Sequence, residues 1–418
     1  MDYKKLLQLI LDIAEEMIVA GAEVNRVEDA IERIAKAYGC DPERTNAFII
    51  TSNIQVTIVD PDGDIITQIR RIIRSDTNYD RLDYLNALSR DLCKNKPSIE
   101  EGREKLNEIL KRPKHNLIVE ILGNFFVAGG FAVFFGGNIF DGLTSGLIGV
   151  LICLLTRKLS SYNANSLARV FVTSIIASIV SIAIASLGLH VDKIMIGGIM
   201  LLIPGIALTN SIRDMLIGDI VTGLIRNINS IFIAFSIAAG FALPIFFIGG
   251  EFVLMHSDYT LNPYAVQVVA AFIGSLGFAL FFNMKGKQIF YASFAGALTW
   301  GVYLICEDFF NMGTFGANLI AAMFVGFIAE ILARINRAPS TIFLTAAAVP
   351  LIPGGALYYA TFGLVNKDVL QFQEYGLSCL TVAGAIAIGF MVIAVIHKYI
   401  NIYFMNIKKK ELKNIDKY

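Results

Sequence analysis

A Pro204-Gly205 pair is followed, within one short stretch, by Asn210, Arg213, Asp214, Asp219 and Arg226. Side chains of these types can bind and release a small charged solute. An arginine guanidinium takes a carboxylate through two parallel charge-assisted hydrogen bonds. An aspartate whose pKa is raised by partial burial can gain and lose a proton during a transport cycle. The neighbouring Ile212, Met215, Leu216, Ile220, Leu224 and Ile225 permit a plainer reading as one amphipathic helix at a membrane surface. Its Arg and Asp would then only pair or snorkel. Residue types alone leave the two readings level.

The breaker is itself repeated. Leu202-Ile203-Pro204-Gly205 returns as Leu351-Ile352-Pro353-Gly354. Proline removes a backbone donor and glycine permits an unwound turn. In lipid such a break is tolerated where it is packed in protein or faces a wet cavity. Either pair alone reads as a structural kink as readily as anything else. Matched breaks in two spans point instead to a transport path.

The elements that must carry these groups are membrane helices. The 418 residues are 55% hydrophobic with zero formal net charge, which offers no global field for nucleic acid. Charge is unevenly spread: residues 1–111 hold 37 charged side chains and the remaining 307 hold 33. Beyond Lys111-Arg112-Pro113-Lys114, ten apolar segments of roughly 17–25 residues occur between 117 and 397, each able to cross ~30 Å of hydrocarbon. With the amino terminus inside, the inner loops carry Arg157, Lys158, Arg169, Arg213, Arg226, Lys285, Lys287, Arg334 and Arg337, and the outer loops only Lys193 and Lys367. The expectation is ten spans with both termini cytoplasmic.

Short matches relate the two halves. Gly130–Phe135 (GFAVFF) returns at Gly277–Phe282 (GFALFF), and LIPG returns 149 residues on. Ala164-Asn165 and Phe171-Val172 return at Ala317-Asn318 and Phe324-Val325. Five spans per half make the second half enter from the opposite side, the inverted-repeat arrangement of alternating-access transporters. Expected domains are a cytoplasmic α+β domain (1–112), two five-helix repeats (113–262 and 263–400) and a basic cytoplasmic tail (401–418).

In the soluble domain the pattern reads α-βββ-αα, with the first helical stretch parted near Gly21 and a turn at Asp60–Gly63. Gly21, Glu23, Arg26, Glu28 and Asp29 lie on successive turns, which composition alone reads as a solvated, salt-bridged face. Cys40, Cys93, Cys153, Cys306 and Cys379 are scattered without metal-ligand spacing, and no nucleotide-binding or hydrolase motif occurs. No enzyme, metal or cofactor is expected.

Two stretches carry a resemblance. GAEVNRVEDAIERI (Gly21 to Ile34) and LIPGIALTNSIRDMLIGDIVTGLIR (Leu202 to Arg226) are similar to the threonine/serine exporter family. The likeness runs through nearly the whole chain, to PLIPGGALYY (Pro350 to Tyr359). It implies a cytoplasmic domain joined to about ten spans in the cell membrane, exporting small hydrophilic metabolites. Threonine and serine driven by the proton motive force are the named case, and related two-component members are linked to succinate. Carried over by position, it makes Asn210, Arg213, Asp214, Asp219 and Arg226 the substrate and coupling residues. It leaves the role of the Gly21–Asp29 motif open. The second half repeats LIPG without the Arg-Asp pair. A dicarboxylate exporter, or a passive channel under a regulatory domain, remains the alternative, and oligomeric state stays open.

Overall fold

A computed structural model describes residues 1–50, 52–74, 76–162, 165–185, 188–248, 262–365 and 367–415. Two helices open the chain, α1 (Tyr3–Val19) and α2 (Val24–Ala37). They are parted at Gly21, whose φ of 98° needs a residue without a side chain. The antiparallel sheet β1 (Asn46–Ile50), β2 (Asn53–Val59) and β3 (Ile65–Arg71) follows in sequential order. The β2–β3 turn is closed by the Gly63 N–H on the Asp60 carbonyl and by the Asp60 carboxylate, which accepts from the Asp62 and Asp64 N–H groups. Alternate residues Ile54, Val56 and Ile58 of β2 are buried in the same cluster as Leu6, Ile10, Ile13 and Met17 of α1. Helices α3 (Tyr79–Asn95) and α4 (Ile99–Leu110) complete the domain, α4 starting in a Ser98–Glu101 capping box.

Long apolar helices follow: α5 (Leu117–Phe134), α6 (Ile139–Ser161), α7 (Ser166–Ala185), α10 (Ile220–Ile248), α11 (Tyr264–Phe281), α12 (Lys287–Leu304), α13 (Gly313–Asn336) and α16 (Val369–Ile415). Exposed side chains such as Leu147, Phe232, Phe235 and Leu377 give them a lipid-compatible surface. Eight described helices are long and apolar enough to cross a membrane, rather than the ten expected. The expected fourth and ninth spans are both broken. The fourth is the nine-residue α8 (Val191–Ile199) followed, after a break, by α9 (Gly205–Ile217). The ninth is the nine-residue α14 (Ser340–Ala348), a 3₁₀ turn at Val349–Leu351, and α15 (Gly354–Val365). That pair bends by 52° and makes a ninth span if counted as one. Nine residues rise only about 14 Å, half the hydrocarbon core, so α8 and α14 are half-helices.

Contacts in one half recur in the other. Gly240 of α10 lies against Phe171, Ser174 and Ile175 of α7, and Gly389 of α16 against Leu319, Ala322 and Met323 of α13. Each helix pair closes on a glycine because a Cβ there would strike the partner's backbone. Gly130 meets Gly274 across α5 and α11, and Gly277 meets Val127 in return. α8 and α14 start 149 residues apart, as do α9 and α15. These contacts set Phe171 against Leu319 and not Phe324. The Phe171-Val172 match therefore does not follow the offset of these contacts. Ala164, from the other short match, lies outside the described residues. The boundary expected at 400/401 falls inside α16, which continues to Ile415 because nothing in Asn401–Lys410 breaks a helix.

The soluble domain is fastened to the membrane helices. Tyr79 and Asp80 N–H donate to the carbonyls of Phe282 and Asn283, and Asn283 Nδ2 donates to Asn78 Oδ1 at 2.6 Å. Lys285 Nζ reaches Asp80 at 3.0 Å, and the Tyr79 ring packs on Phe282 at 5.4 Å. One apolar cluster accordingly runs without interruption from Leu6 and Ile10 to Phe131, Phe282 and Phe343.

Candidate functional site

The two helix breaks pack on each other. A Cβ added at Gly205 would collide with Ile352, and one at Gly354 would lie 2.6 Å from Met200 Sδ and 3.5 Å from Ile203. Ile203 and Ile352 hold the same place in the repeated LIPG, so the contact is reciprocal. Beside it lies a cavity of about 500 Å³, within the usual ~300–1,000 Å³ range for ligand sites. Pro204, Gly205 and Asn210 line it from the first break, and Val349 and Ile352 from the second. Arg226 and Asn229 come from α10, and Thr341 and Thr345 from α14. The end of α11 adds Phe278, Phe281 and Phe282, and the soluble domain adds Gly21, Glu23, Arg74 and Tyr79.

Each expected site residue can now be placed. Asn210 and Arg226 line the cavity. Asp214 is nearly buried and accepts from Arg226 Nη1 at 2.7 Å. Arg213 lies on α9, and its side chain falls outside the described residues. The single amphipathic helix expected after the break is instead a hairpin. Gly218, at a φ of 112°, ends α9 and turns the chain into α10. Gly223 lets the helices close, since a Cβ there would come within 2.6 Å of the Ser211 carbonyl. This turn, not helical spacing, brings Asp214 and Arg226 together. Pro353 and Gly354 stand outside the cavity lining, and Ile352 represents their break in it.

Asp219 begins α10. Its N–H donates to the Asp214 carbonyl, and its own carbonyl accepts from Gly223. Asp368 does the same between Gly363 and Phe372 in the second half, beside Lys367 at a φ of 60°. Asp219 and Asp368 lie 149 residues apart, and the positions 149 residues after Asn210, Asp214 and Arg226 hold Tyr359, Gly363 and Tyr375. Two of these second-half positions carry aromatic rings in place of polar groups. Tyr359 and Tyr375 lie 5.0 Å apart, Tyr358 and Tyr359 5.2 Å, and buried Tyr358 meets Phe241 at 6.5 Å.

The soluble-domain motif divides. Glu23 stands on the cavity wall and accepts from Thr341 Oγ1 at 3.0 Å. Glu28 lies close enough to the α9–α10 hairpin to feel the charge of Asp219. Burial first, then the negative charges of Asp219 and Glu32, push its carboxyl above the ordinary glutamate range. Asp29 forms the expected i,i+4 pair with Arg33 at 2.7 Å. Arg26 lies away from the cavity in a surface depression with Asp29, Arg33 and Arg90. Asn229, Thr341, Thr345 and Tyr79 were missed by sequence reasoning. Polar residues at isolated positions on apolar helices carry no local signal, and only the tertiary fold makes them neighbours.

A multi-pass helical membrane protein with paired helix breaks around a cavity belongs to the transporter class by its architecture. Comparison with known proteins agrees. The family model described as "Putative threonine/serine exporter" matches residues 8–247, and that described as "Threonine/Serine exporter, ThrE" matches 267–396. The chain belongs to the threonine/serine exporter family. It is 25% identical over 409 residues to the "Probable threonine/serine exporter" of Mycobacterium tuberculosis, covering 92% of this chain and 76% of that one. It is 23% identical over 397 residues to the "Threonine/serine exporter" of Corynebacterium glutamicum, covering 92% and 81%. No solved structure matches.

Proposed function

We propose that the chain exports threonine and serine by alternating access about the paired breaks, driven by the proton motive force, with both termini cytoplasmic in the cell membrane. The observation that carries this reading is the reciprocal packing of the two LIPG breaks beside a cavity. Ten spans in two inverted five-helix repeats are the matching architecture, supported by the recurrence of helix–helix contacts about 149 residues on. The gap between the two family matches falls near the proposed repeat boundary at 262/263.

The substrate carboxylate docks at the start of α9. Pro204 supplies no side-chain cap, so the first-turn N–H groups of this 13-residue helix are open to an anion. Arg226 stands beside them on the wall and is held by Asp214. A proton on Asp214 would weaken that ion pair and release the guanidinium toward substrate, a direct link between proton and solute. Asp219, facing Glu28, is the second coupling candidate. In this reading the rings of Tyr359 and Tyr375 close the opposite side, and the cavity lies against the soluble domain.

The test is efflux from proteoliposomes loaded with labelled threonine, serine or succinate, with and without an imposed proton gradient. Gradient-dependent efflux of threonine and serine that exceeds succinate efflux is expected, with a large loss in Asp214→Asn. Absence of gradient-dependent efflux of all three solutes overturns the reading.

A further inference from the structure

The membrane helices offer the cavity donors suited to a carboxylate, whereas the one carboxylate among its described lining residues comes from the soluble domain. Glu23 is the N-cap residue of α2, yet its side chain makes no capping bond. The Gly21 turn directs the chain so that Glu23 instead meets Thr341, 318 residues away, at 3.0 Å. Thr341 belongs to α14, whose Thr345 hydroxyl donates to the Thr341 carbonyl at 2.7 Å. The acid therefore meets α14 at the domain boundary through Thr341.

A narrow recess of about 20 Å³ adjoins this point, bordered by Glu23, Thr209, Asn210 and Thr341. That volume holds one water-sized group, since a water needs at least ~10–15 Å³ by this measure. Thr209 is 3% exposed, and its Oγ1 has no hydrogen-bond partner among the described residues. A buried hydroxyl left unpaired is costly, which makes a ligand or water its natural complement. The polar edge of the recess, set among the apolar Leu344, Ala348, Ile352, Ile386 and Phe390, is made of groups that share one property. The Glu23 carboxylate, the Thr209 hydroxyl and the Asn210 side-chain carbonyl can all accept, and a primary ammonium carries three N–H donors.

We propose that this recess is the ammonium subsite of the transport site, with Glu23, Thr209 and Asn210 receiving the three N–H groups of an α-amino acid. The proposal rests on the cavity being the transport site and deepens it by naming the residues that receive the substrate's ammonium. A zwitterion places its carboxylate at the α9 N-terminus and its ammonium at Glu23. A dicarboxylate of similar length would set a second negative charge against Glu23 and is rejected. The soluble domain thereby supplies part of the binding site rather than a detachable regulator.

The test compares three solutes in proteoliposomes of the full chain: threonine, its analogue with a hydroxyl in place of the ammonium, and succinate. Glu23→Gln keeps an acceptor for Thr341 but removes the charge. It should raise the half-saturating threonine concentration by about ten- to a hundredfold, the usual range for a lost charge-assisted hydrogen bond. The analogue's value should stay within about twofold. Thr209→Val, which preserves shape, should shift the same ratio in the same direction by a smaller factor, and it serves where Glu23→Gln folds poorly. An unchanged threonine-to-analogue ratio in the folded variants overturns the subsite and leaves the transport reading intact; a water-filled recess gives that result. A wild type that moves none of the three solutes removes the transport reading, and the subsite with it.

Discussion

Glu28 shows how one residue can report on the junction between the two domains. Its carboxyl is raised by burial first and by Asp219 second. A folded pKa above the unfolded one means that the folded state binds the proton more tightly. Its contribution to stability is therefore greatest below the ordinary glutamate pKa, and declines as pH rises through the raised value. Glu28→Gln should raise the melting temperature at pH 7–8, with the gain vanishing near pH 4. Because the group is partly solvated, the effect is worth under about 1 kcal/mol. A melting temperature equal to wild type across that range would mean that neither burial nor Asp219 raises the Glu28 carboxyl. In the sequence Glu23, Arg26, Glu28 and Asp29 look alike, as charges on one face of a helix. Asp29 keeps that reading through its pair with Arg33. Glu23 and Glu28 depart from it because the solvent they were expected to meet is replaced by α14 and the α9–α10 hairpin, a neighbour hundreds of residues away.

At the scale of elements, the legible features were those encoded by local backbone chemistry. Pro204-Gly205 and Pro353-Gly354 announced breaks, Gly21 a helix end, and Asp60–Gly63 a turn, because each acts within a few residues. The shortness of α8 and α14 was not legible, since both stay apolar up to the break and merge with it in any hydropathy window. The hairpin at Gly218 was hidden for a similar reason: apolar positions continue in register on both sides of it. The breaks also make an asymmetric prediction. A methyl at Gly205 meets the stiff, β-branched Ile352, whereas one at Gly354 meets the flexible thioether of Met200. Gly205→Ala should cost about 1–3 kcal/mol of stability and most of the transport rate. Gly354→Ala should cost less of both, and adding Ile352→Ala to Gly205→Ala should restore part of the loss. Equal melting temperatures for the two single variants would refute the reciprocal packing as the constraint.

At the scale of the whole molecule, the question is what one cavity on the soluble-domain side implies about the other side. On the alternating-access reading, α10 and α16 are equivalent, so Asn229 on the cavity wall corresponds to Ser378, one helical turn beyond Tyr375 of the ring cluster. The two positions should then exchange accessibility. With the five native cysteines replaced, Asn229→Cys should react readily with a membrane-impermeant thiol reagent applied from the cytoplasmic side. Ser378→Cys should react slowly from the outer side. Saturating substrate with a proton gradient should reverse that order, because opening the ring cluster requires the breaks to slide past each other and close the inner cavity. Both positions reacting at once from their respective sides would describe a continuous pore. That outcome would favour the passive-channel alternative, in which the aromatic cluster is a lining and not a gate.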